Sequence, residues 1–126
     1  MAFRSFEDLE VWKRACRLSV DLSRKLDNWQ DFWFRNQIQR ASVSIPSNIA
    51  EGSERGGKDF VRFLRIASGS AAELRTQLYI AGELGRLSAD DTAYFVNETK
   101  EIARMITGLA KSLKTAPSIP RLPTEN

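Results

Sequence analysis

Apolar and polar positions recur at helical spacing along almost the whole chain. Over residues 7–26, Leu9, Val11, Trp12, Ala15, Cys16, Leu18, Val20, Leu22 and Leu26 fall on one side of a helical wheel. At 100° per residue they fill an arc of roughly 200°, and Glu10, Lys13, Arg14, Arg17, Asp21, Arg24 and Lys25 fill the remainder. About 100° of apolar surface is enough for a helix resting on one core. The surplus predicts a second packing partner for helix 1, within the bundle or on another subunit.

After a connection at residues 27–31, helix 2 is predicted over 32–51. Phe34, Ile38, Ala41, Ile45 and Ile49 form its apolar stripe. Pro46 lacks a backbone donor and crowds the carbonyl of Ser42, which predicts a kink. The alternative is a break there, with residues 47–54 forming a separate turn. Three glycines within residues 52–57 predict a helix C-cap followed by a tight loop. Helix 3 then spans 58–86. Its Phe60, Leu64, Ala67, Ala71, Leu74, Leu78, Ala81 and Gly85 alternate steps of four and three, a heptad seam whose small residues allow close approach. Ser88 is an N-cap with Asp90 and Asp91 behind it. Phe95, Ile102, Met105, Ile106, Leu109 and Leu113 form the buried face of helix 4, which frays near Lys114. No strand pattern occurs, and connections of a few residues favour antiparallel neighbours. The expected fold is an all-α, antiparallel up-and-down four-helix bundle over residues 1–114. Residues 115–126, with Pro117, Pro120 and Pro123, are expected to form an extended or disordered tail.

Composition narrows the chemistry. The chain has no histidine and one cysteine, so the usual neutral-pH base and the commonest metal ligand are missing, and a zinc site has almost nothing to draw on. Neither a cofactor nor a metal is expected. The acidic, unpatterned start is not a signal peptide, and no stretch approaches the roughly 20 apolar residues of a membrane span. A cytoplasmic location without membrane association is expected. Net charge is +3, from 19 Lys and Arg against 16 Asp and Glu. That permits a polyanionic partner without demanding one.

Beside the helix 3 seam runs a second row, Phe63, Ile66, Ser70, Glu73, Gln77, Ile80 and Leu84, whose apolar ends should be buried. Ser44, Asn48 and Glu51 form a polar line on helix 2. Glu51 and Glu73 could act as a carboxylate pair in acid–base chemistry or metal binding. Di-metal bundles use Glu-x-x-His, which is absent, so a structural network of Asn48, Glu51, Ser70, Glu73 and Gln77 is the preferred reading. Cys16, inside the apolar arc, is expected to be buried and inert. The glycine-rich stretch with Arg55 and Lys58 lacks the Walker pattern and reads as a turn. Trp12, Trp29 and Trp33 could stack on bases, but packing is the expected fate. Basic side chains line the outer faces of helices 1 and 3. Solvation is their ordinary role; the functional reading is phosphate contact by Lys13, Arg14, Arg17, Arg24, Arg62 and Arg65.

Three segments carry a further signal. Residues 6–15 (FEDLEVWKRA), residues 37–52 (QIQRASVSIPSNIAEG) and residues 63–70 (FLRIASGS), continued through Glu73, Gln77 and Leu78, resemble the four-helix-bundle family first known from intervening sequences in bacterial 23S ribosomal RNA genes. The resemblance departs before helix 2, where Trp29-Gln30-Asp31-Phe32-Trp33-Phe34 replaces the usual Phe-Pro and Tyr-Gly-Leu type segments. It implies a cytosolic bundle assembling as a homopentameric ring. Relatives include the accessory variability protein of diversity-generating retroelements, which binds nucleic acid through a basic surface and partners a reverse transcriptase. The leading expectation is therefore a homo-oligomeric, non-catalytic protein that binds RNA or DNA. The alternative is an oligomeric scaffold or adaptor for a protein partner.

Overall fold

A computed structural model of the chain describes residues 5–115, and the expected tail lies almost wholly outside them. Its elements are α1 (Glu10–Lys25), α2 (Phe32–Arg55), α3 (Gly57–Glu83) and α4 (Ala89–Thr115), preceded by a 3-10 turn at Phe6–Asp8. That turn replaces the expected first turn of helix 1. The Ser5 hydroxyl accepts from the Glu7 amide at 3.0 Å, and Leu9 is extended, so α1 starts at Glu10. Two of the remaining helices start on a side-chain cap. Asp31 accepts from the Phe34 amide ahead of α2, and Ser88 accepts from the Asp91 amide ahead of α4.

The helices form an all-α four-helix bundle. α1 packs against α2 and α4, and α3 packs against the same two, while α1 and α3 share no contact and sit on a diagonal. Contacts that climb one helix descend its neighbour. Arg14 meets Glu98 and Lys25 meets Asp91; Gly52 meets Phe63 and Ser44 meets Ser70. Neighbours are antiparallel. The core takes Leu18, Leu22 and Leu26 from α1 and its C-cap, Ile38, Ile45 and Ile49 from α2, the α3 seam, and Phe95, Ile102 and Ile106 from α4. Phe60, Leu64, Ala67, Ala71, Leu74, Leu78 and Ala81 are all buried, as the heptad pattern requires. Burying each large apolar side chain contributes about 1.5–3 kcal/mol. The periodicity overlooked Val96 and Thr99; Thr99 is tolerated in the core because its hydroxyl donates to the Phe95 carbonyl.

Several expectations are corrected. α2 passes Pro46 without the break that stood as the alternative, but it runs beyond its expected end at Glu51 to Arg55, so residues 52–55 are helix rather than loop. Gly52 is buried there because the backbone needs the space: a Cβ would lie 2.6 Å from Phe63 Cβ and 3.3 Å from Phe60 Cα. The reversal is confined to Gly56 and Gly57, with φ of 72° and 57°. α3 stops at Glu83, and Gly85 turns the chain at φ 74° instead of extending the seam. The apolar ends of the second α3 row are not buried in the single chain: Ile66, Ile80 and Leu84 are 43%, 46% and 57% exposed. Two neighbours cover only part of a helix, and this row lies at the outer edge of the α2–α3 contact. Cys16 is half-buried rather than enclosed. No helix among the described residues is long and apolar enough to cross a membrane.

Two glycines make a paired test. Gly52→Ala forces a Cβ into Phe63 and is expected to cost about 1–3 kcal/mol of stability in denaturant titrations. Gly69→Ala, where a Cβ meets nothing within 4 Å, is expected to add about 0.5–1 kcal/mol. Equal effects at both positions would contradict the close approach at Gly52.

Candidate functional site

The predicted polar network forms in part. Asn48 Nδ2 donates to the Ser44 carbonyl at 2.8 Å and to Ser44 Oγ at 3.0 Å, and Ser44 Oγ and Ser70 Oγ share a bond of 2.8 Å between α2 and α3. Asn48 and Ser70 are thus brought together through Ser44. Glu51 is not included: it is exposed and accepts from Arg55 Nε at 3.0 Å, one turn along its own helix. Glu73 is exposed as well, and the two carboxylates do not pair. Gln77 is half-buried, with Oε1 shielded from solvent and unbonded. Among the described residues no cluster of His, Cys, Asp or Glu could hold a metal ion. A second bond absent from the sequence reading joins α1 to α2. Ser42 Oγ donates to the Gln39 carbonyl, leaving Ser19 Oγ to donate to Ser42 at 3.0 Å.

The six basic candidates do not converge. Arg14 is engaged by α4: Nε and Nη2 reach the two carboxylate oxygens of Glu98 at 2.6 and 3.0 Å, and the hydrogen bond holds the guanidinium pKa above its ordinary value. This fork clamps α1 to α4 and contributes on the order of 1 kcal/mol, because the Arg14 side chain stays two-fifths exposed. Lys13 lies 3.9 Å from Glu10. Arg17 and Arg24 are exposed on α1. Arg62 stacks on the Phe63 ring, 4.6 Å from its centroid, and lies 3.5 Å from Asp59. Arg65 is exposed on α3. Since α1 and α3 are diagonal, the two groups face different sides of the bundle.

A different basic surface does assemble. A groove of about 260 Å³ between α3 and α4 is lined by Arg65 and Ser68 on one side and Thr107, Lys111 and Lys114 on the other, over a floor of Leu64, Ile106 and Ala110. Among the described residues no carboxylate lines it. The other polar grooves mix signs: Asp21 and Asp91 stand beside Arg24 and Lys25, and Glu98 and Glu101 beside Arg14 and Arg104. Three cations and two hydroxyls over an apolar floor suit phosphate oxygens approached from one side. Sequence reasoning named Arg65 and missed Lys111 and Lys114. Their signal was the three-residue spacing on one helix face, readable only once α4 is laid antiparallel to α3.

An apolar groove of about 400 Å³ lies between α1 and α2, walled by Phe6, Trp12, Cys16, Val20, Val43 and Ala50. Phe6 and Trp12 meet edge to face, centroids 5.1 Å apart. Burial pushes the Cys16 thiol pKa up, keeping it protonated and weakly nucleophilic at neutral pH. In contrast, Phe32 and Trp33 stand 65% and 71% exposed at the start of α2, in the segment where the resemblance departs. Alkylation of Cys16 by iodoacetamide at pH 7.5 is therefore expected to be slower than that of a free thiol. Its rate should rise with a midpoint above the ordinary thiol value. A midpoint below that value would contradict the desolvated setting.

No curated protein matches the chain. Among solved structures, a protein of unknown function of the S23 ribosomal protein family from Bacteroides thetaiotaomicron shares the fold, with a TM-score of 0.74 and 24% identity over 80% of this chain and 98% of that one. Residues 7–108 match the family model described as the 23S rRNA-intervening sequence protein, and the chain belongs to that family.

Proposed function

We propose that this chain is a non-catalytic, cytoplasmic, homo-oligomeric protein that binds the phosphate backbone of RNA or DNA. The observation that carries the reading is the α3–α4 groove, where Arg65, Lys111 and Lys114 converge with Ser68 and Thr107 on one surface of a single charge sign among the described residues that line it. Phosphate contact of this kind is largely indifferent to base sequence and strongly dependent on salt. Repetition around an assembly, such as the homopentamer that the resemblance implies, multiplies a +3 chain into a broader positive field. The absence of histidine and the protonated, half-buried Cys16 support a non-catalytic role. The roles of Lys13, Arg17, Arg24 and Arg62 become secondary, since they lie outside that groove, and Arg14 is held by Glu98. One observation favours the scaffold reading instead: Phe32 and Trp33 offer an aromatic surface suited to a protein partner.

Gel-shift titrations with RNA and DNA of unrelated sequence separate the two. Binding is expected to weaken about tenfold or more between 50 and 200 mM salt. The triple variant R65E/K111E/K114E is expected to bind about tenfold or more weakly at 50 mM salt, while K13E/R24E retains most of the affinity. Removing three contacts should also flatten the log–log salt slope by about 2–3 units per chain. Absence of binding at low salt, or an affinity indifferent to salt, would leave the scaffold reading in its place.

A further inference from the structure

Between Asn28 and Gln37 the chain mixes aromatic rings, amides and an arginine, and the fold leaves much of this stretch uncovered. Packing was the expected fate of the tryptophans. Trp29 meets it, beside the buried Phe34 with centroids 5.9 Å apart. Trp33 does not: it is 71% exposed and meets no other ring among the described residues, and its neighbour Phe32 is 65% exposed. The charge beside these rings is positive. Arg35 Nη1 donates to the carbonyls of Trp29 and Asp27 at 3.0 and 3.4 Å, which holds its guanidinium 4.5 Å from the Phe32 ring centroid. Arg86, from the α3–α4 connection, lies 6.0 Å from the Trp29 ring centroid. Asp27, Asp31 and Glu83 share this end of the bundle, yet none of them bridges either arginine, and Asp31 is turned to the Phe34 amide.

We propose that Phe32 and Trp33 form a stacking platform for unpaired nucleobases, with Arg35 and Arg86 meeting the phosphates of the same strand. Each part of a single strand has its counterpart here. The flat face of any base stacks on an exposed ring without regard to sequence. Base edges freed from pairing find amides that both donate and accept: Gln30 and Asn36, exposed to either side of the rings in sequence. A guanidinium laid against a ring keeps N–H groups at its rim for a phosphate. A duplex cannot use such a platform, because its bases are already stacked and paired with one another. An apolar protein surface would bury the same amides and guanidiniums without partners, so the polar surround favours the base. The platform stands where α2 begins, and the Arg65–Lys114 groove stands at the other end of the bundle; from Arg65 to Glu83, α3 alone covers about 27 Å. The two surfaces take separate stretches of a strand. The platform presupposes the nucleic-acid reading of the groove and adds to it the choice of an unpaired strand.

The test sets an oligo-dT or oligo-U strand of about 20 nucleotides against a duplex of the same length. Fluorescence anisotropy on the full chain at one salt concentration gives both affinities, with helix content and thermal melting as controls for folding. Wild type is expected to hold the single strand more tightly than the duplex. F32A/W33A is expected to lose about tenfold or more of the single-strand affinity while its duplex affinity stays within about twofold. W33F keeps a ring and is expected to keep the binding. It should lose the quenching of tryptophan emission that the strand causes in wild type, because Trp12 and Trp29 are partly buried. No binding to either form removes the nucleic-acid reading itself. Binding without strand preference, a preference that survives F32A/W33A, or quenching that persists in W33F overturns the platform alone. A preserved preference together with a changed mass in light scattering would assign the two rings to a protein contact instead.

Discussion

Close approach of α2 and α3 is the constraint on which the rest of the bundle depends. Ala67, Ala71 and Ala81 keep the α3 seam shallow, and Gly52 lets the α2 backbone lie against Phe60 and Phe63 where any side chain would collide. With these helices drawn together, Ser44 and Ser70 come within a hydrogen bond of each other, and Asn48 completes the polar line. One further face of each helix is then committed. α2 receives α1, α3 receives α4, and the Arg14–Glu98 fork ties the outer pair together.

Large parts of this arrangement were legible in the residues. A seam alternating steps of four and three on α3 is a long signal, and seven of its eight positions are buried, only Gly85 falling beyond the helix. The wide apolar arc of α1 was legible too, as surplus: Trp12, Cys16 and Val20 are the positions the core does not enclose. What failed was local reading where tertiary contact decides. Gly52 looked like the beginning of a loop because glycine disfavours helices, yet here a helix holds it because only glycine fits against Phe63. Ile66, Ile80 and Leu84 looked like core because they are apolar and helically spaced; burial also requires a neighbour on that side, and one chain supplies none.

The candidate site was less legible for a related reason. A basic surface between two helices depends on which positions face each other, and periodicity within one helix carries no information about that. Arg65 alone is one more surface arginine. It acquires meaning from Lys111 and Lys114, which become its neighbours through the antiparallel run of α3 against α4. Arg14 shows the converse. Its place on the outer face of α1 suggested availability, but Glu98, 84 residues away in the chain, takes its charge. A cation's usefulness to a ligand is set by the acids that reach it.

The two-glycine reversal at Gly56 and Gly57 has a kinetic consequence. With α2 and α3 joined by a single residue between their ends, the tightest helix pair in the molecule is also the pair with the least chain to close. Its contacts are short-range in sequence, whereas those between α1 and α4 span most of the domain. Loop-closure entropy thus favours the α2–α3 hairpin as the first native helix pair to form. Growing from a local hairpin gives the chain a low entropic barrier to its first native contacts, and so a short time during which its apolar faces lie open to the wrong neighbours.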